Sequence, residues 1–220
     1  LSLYKTYQLE LIHPSVQAYA EQYSSPEDDL LREISAFTMH NHPGAQMLSG
    51  HLQGKVLEMI SCMIRPHRIL EIGTFTGYSA LCLARGLAAG GQLHTLELRE
   101  EDAKTARAYF DRSVYNDQII LHAGDARDSL AKLEERWDLV FIDADKPAYI
   151  DYFNLVFPNV RENGFILADN IFFHGQVLEK EVKGKNAKGI QAFNDYISNR
   201  VDIEKVILTI RDGLYLVRKL

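Results

Sequence analysis

The first 65 residues have hydrophobic positions at helical spacing and lack strand-like runs. Leu30, Leu31, Ile34 and Phe37 form one such set, and Leu52, Val56, Leu57, Ile60 and Met63 form a second. Apolar residues three and four positions apart share one face of a helix, so both sets predict amphipathic helices. The Pro43-Gly44 pair between them predicts a loop over residues 40–44. We therefore expect a helical lid or flank over residues 1–65.

From residue 68 onward the pattern changes to short apolar runs separated by helical stretches. The apolar runs predict strands at 68–72, 92–98, 118–122, 137–143 and 164–168. Helical spacing lies between them at about 77–88, 99–113, 127–135 and 147–157. This alternation is typical of βαβ units, which form a parallel sheet with helices on both faces.

Two further apolar runs, at 205–210 and 214–217, flank Asp212-Gly213, which is a strong signal for a two-residue hairpin. The sheet should therefore end in an antiparallel pair. A simple dinucleotide-binding fold does not require this feature. We expect one α/β domain over residues 1–220, with the α/β core at 66–220.

Charge and composition narrow the class of partner. A net charge of −6 over 220 residues gives no overall basic field for nucleic acid or anionic lipid. No run approaches the roughly 18 apolar residues that span a bilayer, and Leu1 to Lys5 lack a secretory pattern. Cys62 and Cys82 lie in apolar helical patterns, which predicts two buried thiols in a reducing compartment. We expect a cytoplasmic protein with a small organic substrate.

A glycine-bearing turn follows the first predicted strand and leads into a helix. Its sequence is Leu70-Glu71-Ile72-Gly73-Thr74-Phe75-Thr76-Gly77-Tyr78-Ser79. Such turns at the carboxyl edge of a parallel sheet are where open α/β folds bind ligands. A dinucleotide fingerprint has a middle glycine that admits a pyrophosphate, and here that position is Phe75. The turn therefore favours a nucleoside ligand without phosphates over NAD, unless Gly73 and Gly77 only form a tight turn.

Acidic residues follow the next two predicted strands. Glu97 stands about twenty residues after Gly77, where a carboxylate can accept hydrogen bonds from both ribose hydroxyls. Gly124-Asp125-Ala126 follows the third strand, where a short loop can bind adenine. The alternative is that Glu97 or Asp125 is a solvated loop acid or a helix cap.

Polar side chains also follow the fourth and fifth predicted strands. Asp143 ends one, and Asp169 with Asn170 ends the other. Two carboxylates and an amide oxygen suit Mg²⁺, with Mn²⁺ or Ca²⁺ as alternatives, although each residue alone could be a cap or a turn. His40 and His42 have no third soft ligand nearby, so we interpret them as loop residues.

At these residues the chain resembles the cation-dependent O-methyltransferase family, which includes catechol O-methyltransferase and caffeoyl-CoA O-methyltransferase. The similarity runs from about Met47 to the C terminus. It is carried by residues 70–79, by Phe141-Ile142-Asp143-Ala144-Asp145-Lys146, by Ala168-Asp169-Asn170 and by residues 189–194. The resemblance implies a class I S-adenosylmethionine-dependent enzyme, a homodimer, and a Rossmann-like seven-stranded sheet that is parallel except for one strand.

The resemblance also implies residue roles. Glu97 would hold ribose, Asp125 and Ala126 would contact adenine, and Lys146 lies where catechol O-methyltransferase has its general base. Metal would bind Asp143, Asp169 and Asn170. The rest of the cofactor site would comprise Met47, Ser49, Glu71, Gly73, Gly77, Tyr78, Ser79 and Asp143.

The implied reaction is methylation of one hydroxyl of a vicinal-diol aromatic, such as a catechol or a caffeoyl compound. A divalent metal would lower the pKa of the phenol, and Lys146 would accept its proton. One branch of the family methylates a hydroxylated uridine in transfer RNA, which the acidic balance of this chain disfavours. A non-catalytic protein that binds S-adenosylmethionine would not need Asp143, Asp169, Asn170 and Lys146, so their presence favours an enzyme.

Overall fold

The computed structural model describes residues 11–220, and its centre is a seven-stranded sheet in the order β3-β2-β1-β4-β5-β7-β6. Strands β1 to β5 pair in parallel, and β7 is antiparallel to both of its neighbours. The strands are β1 (Arg68–Ile72), β2 (Gln92–Glu97), β3 (Ile119–Ala123), β4 (Trp137–Ile142), β5 (Val160–Asp169), β6 (Ile203–Leu208) and β7 (Leu214–Lys219). The predicted fold class, with its single antiparallel strand, is confirmed.

Eight α-helices accompany the sheet within residues 11–220. They are α1 (Pro14–Gln22), α2 (Asp29–Asn41), α3 (Gly50–Ile64), α4 (Tyr78–Ala84), α5 (Glu100–Phe110), α6 (Ala126–Leu130), α7 (Tyr149–Val156) and α8 (Lys185–Ser198). None of them is both long and apolar enough to cross a bilayer. The helical N-terminal segment is thus present from α1 onward, and residues 1–10 of that prediction lie outside the described part.

Side chains alternate between the two faces of the central strands and build two separate cores. On one face Ile69 and Phe141 pack with residues of α2 to α5. On the other face Leu70 and Val140 pack with residues of α7 and α8. Burial of both faces explains why the strands are nearly continuous apolar runs rather than alternating ones. The two cores hold the carboxyl ends of β1, β2, β4 and β5 at one edge.

The C-terminal hairpin is wider than its sequence predicts. Leu208 pairs with Leu214, so residues 209–213 form the loop, and the two-residue turn at Asp212-Gly213 is wrong. The loop is longer than a two-residue turn because its main chain forms hydrogen bonds with residues 171–172. The carbonyls of Asp212 and Gly213 accept hydrogen bonds from the N–H groups of Phe172 and Ile171, at 3.0 and 3.2 Å.

Two further local predictions are corrected. Cys82 is buried, but Cys62 is exposed, because it lies on the outward face of α3 beside Met59 and Met63. Helical spacing alone does not say which apolar positions face the core. The loop predicted at residues 40–44 begins only at His42, since α2 continues through Asn41.

Candidate active site

A cavity of about 730 Å³ opens at the carboxyl edge of the sheet. Its wall combines the turns after β1, β2, β3, β4 and β5 with the segment before α3. Eleven of the predicted site residues line it: Met47, Ser49, Gly73, Tyr78, Ser79, Glu97, Asp125, Ala126, Asp143, Lys146 and Asn170. Glu71, Gly77 and Asp169 lie behind this surface layer.

The turn between β1 and α4 depends on glycine at its first position. Gly73 has φ +103°, and a Cβ atom there would lie 1.9 Å from the carbonyl oxygen of Asp143. No side chain fits such an approach, so Gly73 brings the turn against the end of β4. Phe75 also adopts a left-handed conformation, with φ +50°, and its ring lies on the cavity wall.

Glu97 ends β2 with its side chain buried and anchored to main chain. Its two carboxylate oxygens accept hydrogen bonds from the N–H groups of Phe75, at 2.7 Å, and Arg99, at 2.9 Å. Burial raises the pKa of Glu97, against these hydrogen bonds. The two donors orient the carboxylate at the cavity wall, and each oxygen has a further lone pair for a ligand hydroxyl.

Asp125 acts as a helix cap as well as lining the cavity. It is the N-cap of α6, and its Oδ1 accepts a hydrogen bond of 2.8 Å from the N–H of Arg127. The helix-cap role offered as the alternative for Asp125 in the sequence analysis is therefore present. Asp125 and the adjacent Ala126 both line the cavity, and Asp125 Oδ2 lies 3.8 Å from Arg127 Nη1.

Glu71 lies beneath the cavity floor in a chain of buried hydroxyls. Its Oε2 accepts a hydrogen bond of 2.5 Å from Thr95, whose hydroxyl also lies 2.5 Å from that of Thr74. Glu71 Oε1 is buried without a partner, and burial raises the pKa of Glu71 to about 8. These threonines were not predicted, because buried hydroxyls leave no periodic signal.

Asp143, Asp169 and Asn170 meet at the other end of the cavity, around the side chain of Lys146. Lys146 Nζ donates to Asp143 Oδ1 at 2.9 Å, to Asn170 Oδ1 at 2.7 Å and to the hydroxyl of Tyr149 at 2.8 Å. The Tyr149 hydroxyl donates in turn to the Asp169 carbonyl at 3.1 Å. The ammonium therefore uses all three of its donors. Tyr149 was not predicted, although it lies one helical turn after Lys146.

The charges in this cluster act strongly on one another. Burial alone lowers the pKa of Lys146, but Asp143, Tyr149 and Asp169 outweigh burial and raise it. Burial and the charge of Asp143 raise the pKa of Asp169, against the effect of Lys146. Two carboxylates at close range need a positive charge between them, which Lys146 supplies here.

The donor chemistry of this cluster fits a hard divalent cation. Asp169 Oδ1 is buried without a hydrogen-bond partner among the described residues, and Asp143 Oδ1 and Asn170 Oδ1 both accept from Lys146 Nζ. Carboxylate and amide oxygens are the ligands that Mg²⁺ prefers. Within residues 11–220 no group of three or more His, Cys, Asp or Glu side chains is arranged to hold a metal ion, and the set here has two carboxylates and one amide.

Several residues at this end of the cavity were not predicted as part of the site. Phe173 and His174 follow Asn170 with φ of +44° and +56°, and Arg211 lies in the loop before β7. The His174 N–H donates to Asp212 Oδ1 at 2.7 Å, which fixes this strained segment against that loop. A lone arginine in a turn carries no pattern, so only the fold brings Arg211 to the cavity.

The family can now be identified from comparison with known proteins. The family model described as O-methyltransferase matches residues 21–220. This chain belongs to that family, and the enzyme class predicted from the sequence, an S-adenosylmethionine-dependent O-methyltransferase, is confirmed.

Individual relatives agree with this assignment. A catechol O-methyltransferase of Niastella koreensis is 32% identical over 90% of this chain and 90% of its own length. A probable caffeoyl-CoA O-methyltransferase of Dictyostelium discoideum is 29% identical over 94% and 92%.

Solved structures share the fold over nearly the whole chain. The SAH-bound methyltransferase PaMTH1 of Podospora anserina has a TM-score of 0.86 at 29% identity, covering 94% of both chains. The O-methyltransferase TomG of Streptomyces achromogenes, in complex with SAM, has a TM-score of 0.85 at 28% identity, covering 93% of this chain and 96% of its own.

Proposed function

We propose that this enzyme transfers the methyl group of S-adenosylmethionine to one hydroxyl of a catechol-like or caffeoyl-type aromatic, and that it requires a divalent cation, Mg²⁺ in the first instance. The observation that carries the proposal is the cluster of Asp143, Asp169, Asn170 and Lys146 in one cavity with Glu97. The relative from Niastella koreensis, a catechol O-methyltransferase, supports the acceptor class.

The cofactor occupies the end of the cavity near β1, β2 and β3. Glu97 accepts hydrogen bonds from the ribose, because its carboxylate is already oriented by the N–H groups of Phe75 and Arg99. Asp125 and Ala126 contact adenine. The methionine part lies along Gly73, Tyr78 and Ser79, with Met47 and Ser49 opposite. Glu71 and Gly77 support this end from behind.

The cation site comprises Asp143, Asp169 and Asn170. A divalent cation held there would lower the pKa of a chelated phenol and fix its two oxygens. The Asp143 carbonyl lies against Gly73 at the cofactor end, which supports a short distance between the two ends. An acceptor oxygen held in this way would be oriented toward the methyl donor, and orientation of this kind can lower a barrier by roughly 7–11 kcal/mol.

Lys146 Nζ is the group that takes the phenolic proton. In the structure it is an ammonium with a raised pKa, held by Asp143 and Asn170. A cation held by Asp143, Asp169 and Asn170 would compensate the aspartate charges that raise this pKa, and Lys146 would then release its proton to solvent and be available as a base. Tyr149 keeps Nζ in place during that change.

A methyl-transfer screen tests the proposal. Catechols, caffeoyl thioesters, flavonoids and hydroxyuridine-containing RNA are incubated with labelled S-adenosylmethionine, with Mg²⁺ or with excess chelator. We expect label on a vicinal diol only when Mg²⁺ is present. Transfer to RNA alone, or transfer to a monohydroxylated ring at the same rate, would contradict the proposed acceptor class.

A further inference from the structure

Residues 43–49, which we call the cover segment, form one wall of the cavity between α2 and α3. Gln46, Met47, Leu48 and Ser49 line the cavity, and Leu48 is also buried in the core. The segment contains a single 3₁₀ turn at Ala45–Met47 and lacks side-chain capping at that turn. Local structure alone therefore gives it little stability, and its position depends on contacts at its two ends.

The first anchor is His42, at the start of the cover segment. His42 Nε2 lies 3.0 Å from Asp102 Oδ1, and His42 Nδ1 accepts a hydrogen bond of 2.9 Å from the N–H of Gly44. Both ring nitrogens are therefore used when the neutral imidazole carries its proton on Nε2. The ring also packs edge-on against Phe75, with centroids 4.6 Å apart.

This anchor joins the cover segment to the residues around Glu97. Arg99 Nη2 lies 2.6 Å from Asp102 Oδ2, and the Arg99 guanidinium stacks over Phe75 at 5.5 Å. The main-chain N–H groups of Phe75 and Arg99 are the two donors that hold the Glu97 carboxylate. His42 thus contacts Phe75 directly and Arg99 through Asp102, and the main chain of Phe75 and Arg99 shapes the proposed ribose site.

The second anchor is Arg211, at the far end of the cover segment. Its Nη1 donates to the Ser49 carbonyl at 2.9 Å and its Nη2 donates to the Gln46 carbonyl at 3.0 Å. Arg211 comes from the loop that packs on the segment after β5. The cover segment is therefore fixed to the cofactor end of the cavity by His42 and to the acceptor end by Arg211.

We propose that His42 and Arg211 are positioning residues that hold the cover segment against bound cofactor. His42 slows the release of cofactor. Arg211 keeps Met47 and Ser49 at fixed positions next to the acceptor end of the cavity. Neither side chain takes part in methyl transfer. The proposal builds on the function proposed above, because it assumes that the cofactor lies between Glu97 and the cover segment.

Binding of S-adenosylhomocysteine to purified variants tests the role of His42. His42→Ala should weaken binding by about tenfold, mainly through faster dissociation, because a hydrogen bond to a charged partner and an aromatic contact are lost. The KM for S-adenosylmethionine should therefore rise, whereas kcat at saturating S-adenosylmethionine should stay close to that of wild type. His40→Ala is the matched control, since His40 is exposed and its ring bonds the Ala36 carbonyl within α2.

Two further readouts separate positioning from general stability. His42→Ala and Asp102→Asn both disrupt the hydrogen bond between these two side chains, so the double variant should lose less affinity than the sum of the two single variants, although Asp102→Asn also weakens the ion pair with Arg99. Amide hydrogen exchange across residues 43–49 should rise in His42→Ala and Arg211→Lys, and bound S-adenosylhomocysteine should reduce it less than in wild type. His42→Gln, which retains an N–H donor for Asp102, should recover part of the affinity.

Wild-type binding of S-adenosylhomocysteine is measured first. Its absence would overturn the proposed function, and this inference with it. Normal wild-type binding together with unchanged dissociation in His42→Ala, or an equal effect of His40→Ala, would overturn this inference alone. Should His42→Ala not fold, His42→Gln and Arg211→Lys decide the question by the same dissociation and exchange measurements.

Discussion

At the scale of single residues, the site contains buried charged groups, most of whose polar atoms have hydrogen-bond partners. Lys146 is the clearest case, since its three N–H donors bind Asp143, Asn170 and Tyr149. Such a lysine has no donor left for an acceptor molecule and has to give up a bond when a cation or substrate enters. Its location in the fold, rather than its residue type, makes it a candidate base.

A pair of histidines outside the cavity lining, His94 and His122, predicts how the stability of the fold depends on pH. His94 Nδ1 lies 3.1 Å from His122 Nε2, and His94 Nε2 is buried without a partner. Burial and then the charge of His122 lower the pKa of His94 to about 4. In the unfolded chain the pKa is about 6.5, so the unfolded state binds more protons between these values and stability falls as pH falls.

Replacement of His94 by phenylalanine should remove this dependence. At about pH 4.5 wild type should lose about 1–2 kcal/mol of unfolding free energy relative to His94→Phe, less than the whole pKa shift because the pair is partly screened by solvent. Urea denaturation of both proteins at pH 4.5 and 7.5 measures the difference. Carboxyl groups titrate in both proteins and cancel. A constant difference between the two pH values would contradict the assignment.

At the scale of elements, the turn between β1 and α4 packs against the ends of two neighbouring strands, β2 and β4. Gly73 allows the turn to touch the main chain at Asp143, and its N–H bonds the Leu96 carbonyl at 2.9 Å. The proposed cofactor end and the proposed cation end of the cavity therefore meet at a single glycine. A side chain at position 73 would force the β1–α4 turn away from the main chain at Asp143.

Gly73→Ala should accordingly destabilise the fold by about 2–4 kcal/mol, because strain at positive φ adds to overlap with the Asp143 carbonyl. Gly90→Ala is the control, since Gly90 also has φ +73° but has open space around it. It should cost about 1 kcal/mol. Urea denaturation measures both, and equal losses would show that the contact with Asp143 is unimportant.

The sequence predicted the elements and the strand ends better than it predicted turns and partners. Apolar runs located all seven strands, most clearly the central strands β1 and β4, which are buried on both faces, and motif spacing placed Glu97 and Asp143 at the right edge. The turn before β7 was predicted too short because its main chain binds residues 171–172, a long-range contact. Arg211 and Tyr149 were missed for the same reason, since their partners are distant in sequence or buried.

At the scale of the whole molecule, apolar side chains remain exposed on the N-terminal helices. Tyr19 of α1, Tyr23 at its C-cap, and Met59 and Met63 of α3 are each more than half exposed. Surfaces of this kind often mark contacts with another chain. Together with the homodimer that the family resemblance implies, this surface leads us to expect self-association through α1 and α3.

Light scattering at micromolar concentration measures that association. We expect twice the chain mass of 25.0 kDa for wild type, and monomer for the double substitution Met59→Glu and Met63→Glu, because charges would be buried in the contact. Val201→Glu, at an exposed residue between α8 and β6, is the control. Monomeric wild type would contradict the dimer and leave the site unaffected.

We propose that two separable functions share one cavity: cofactor binding at one end and cation-dependent activation of the acceptor at the other. The most direct measurement compares methyl transfer to a catechol with calorimetric binding of S-adenosylmethionine, for wild type with excess chelator and for Asp169→Ala. We expect transfer to be abolished in both cases and cofactor affinity to stay within about threefold, because Asp169 lies behind the acceptor end. Full transfer in excess chelator would contradict the claim.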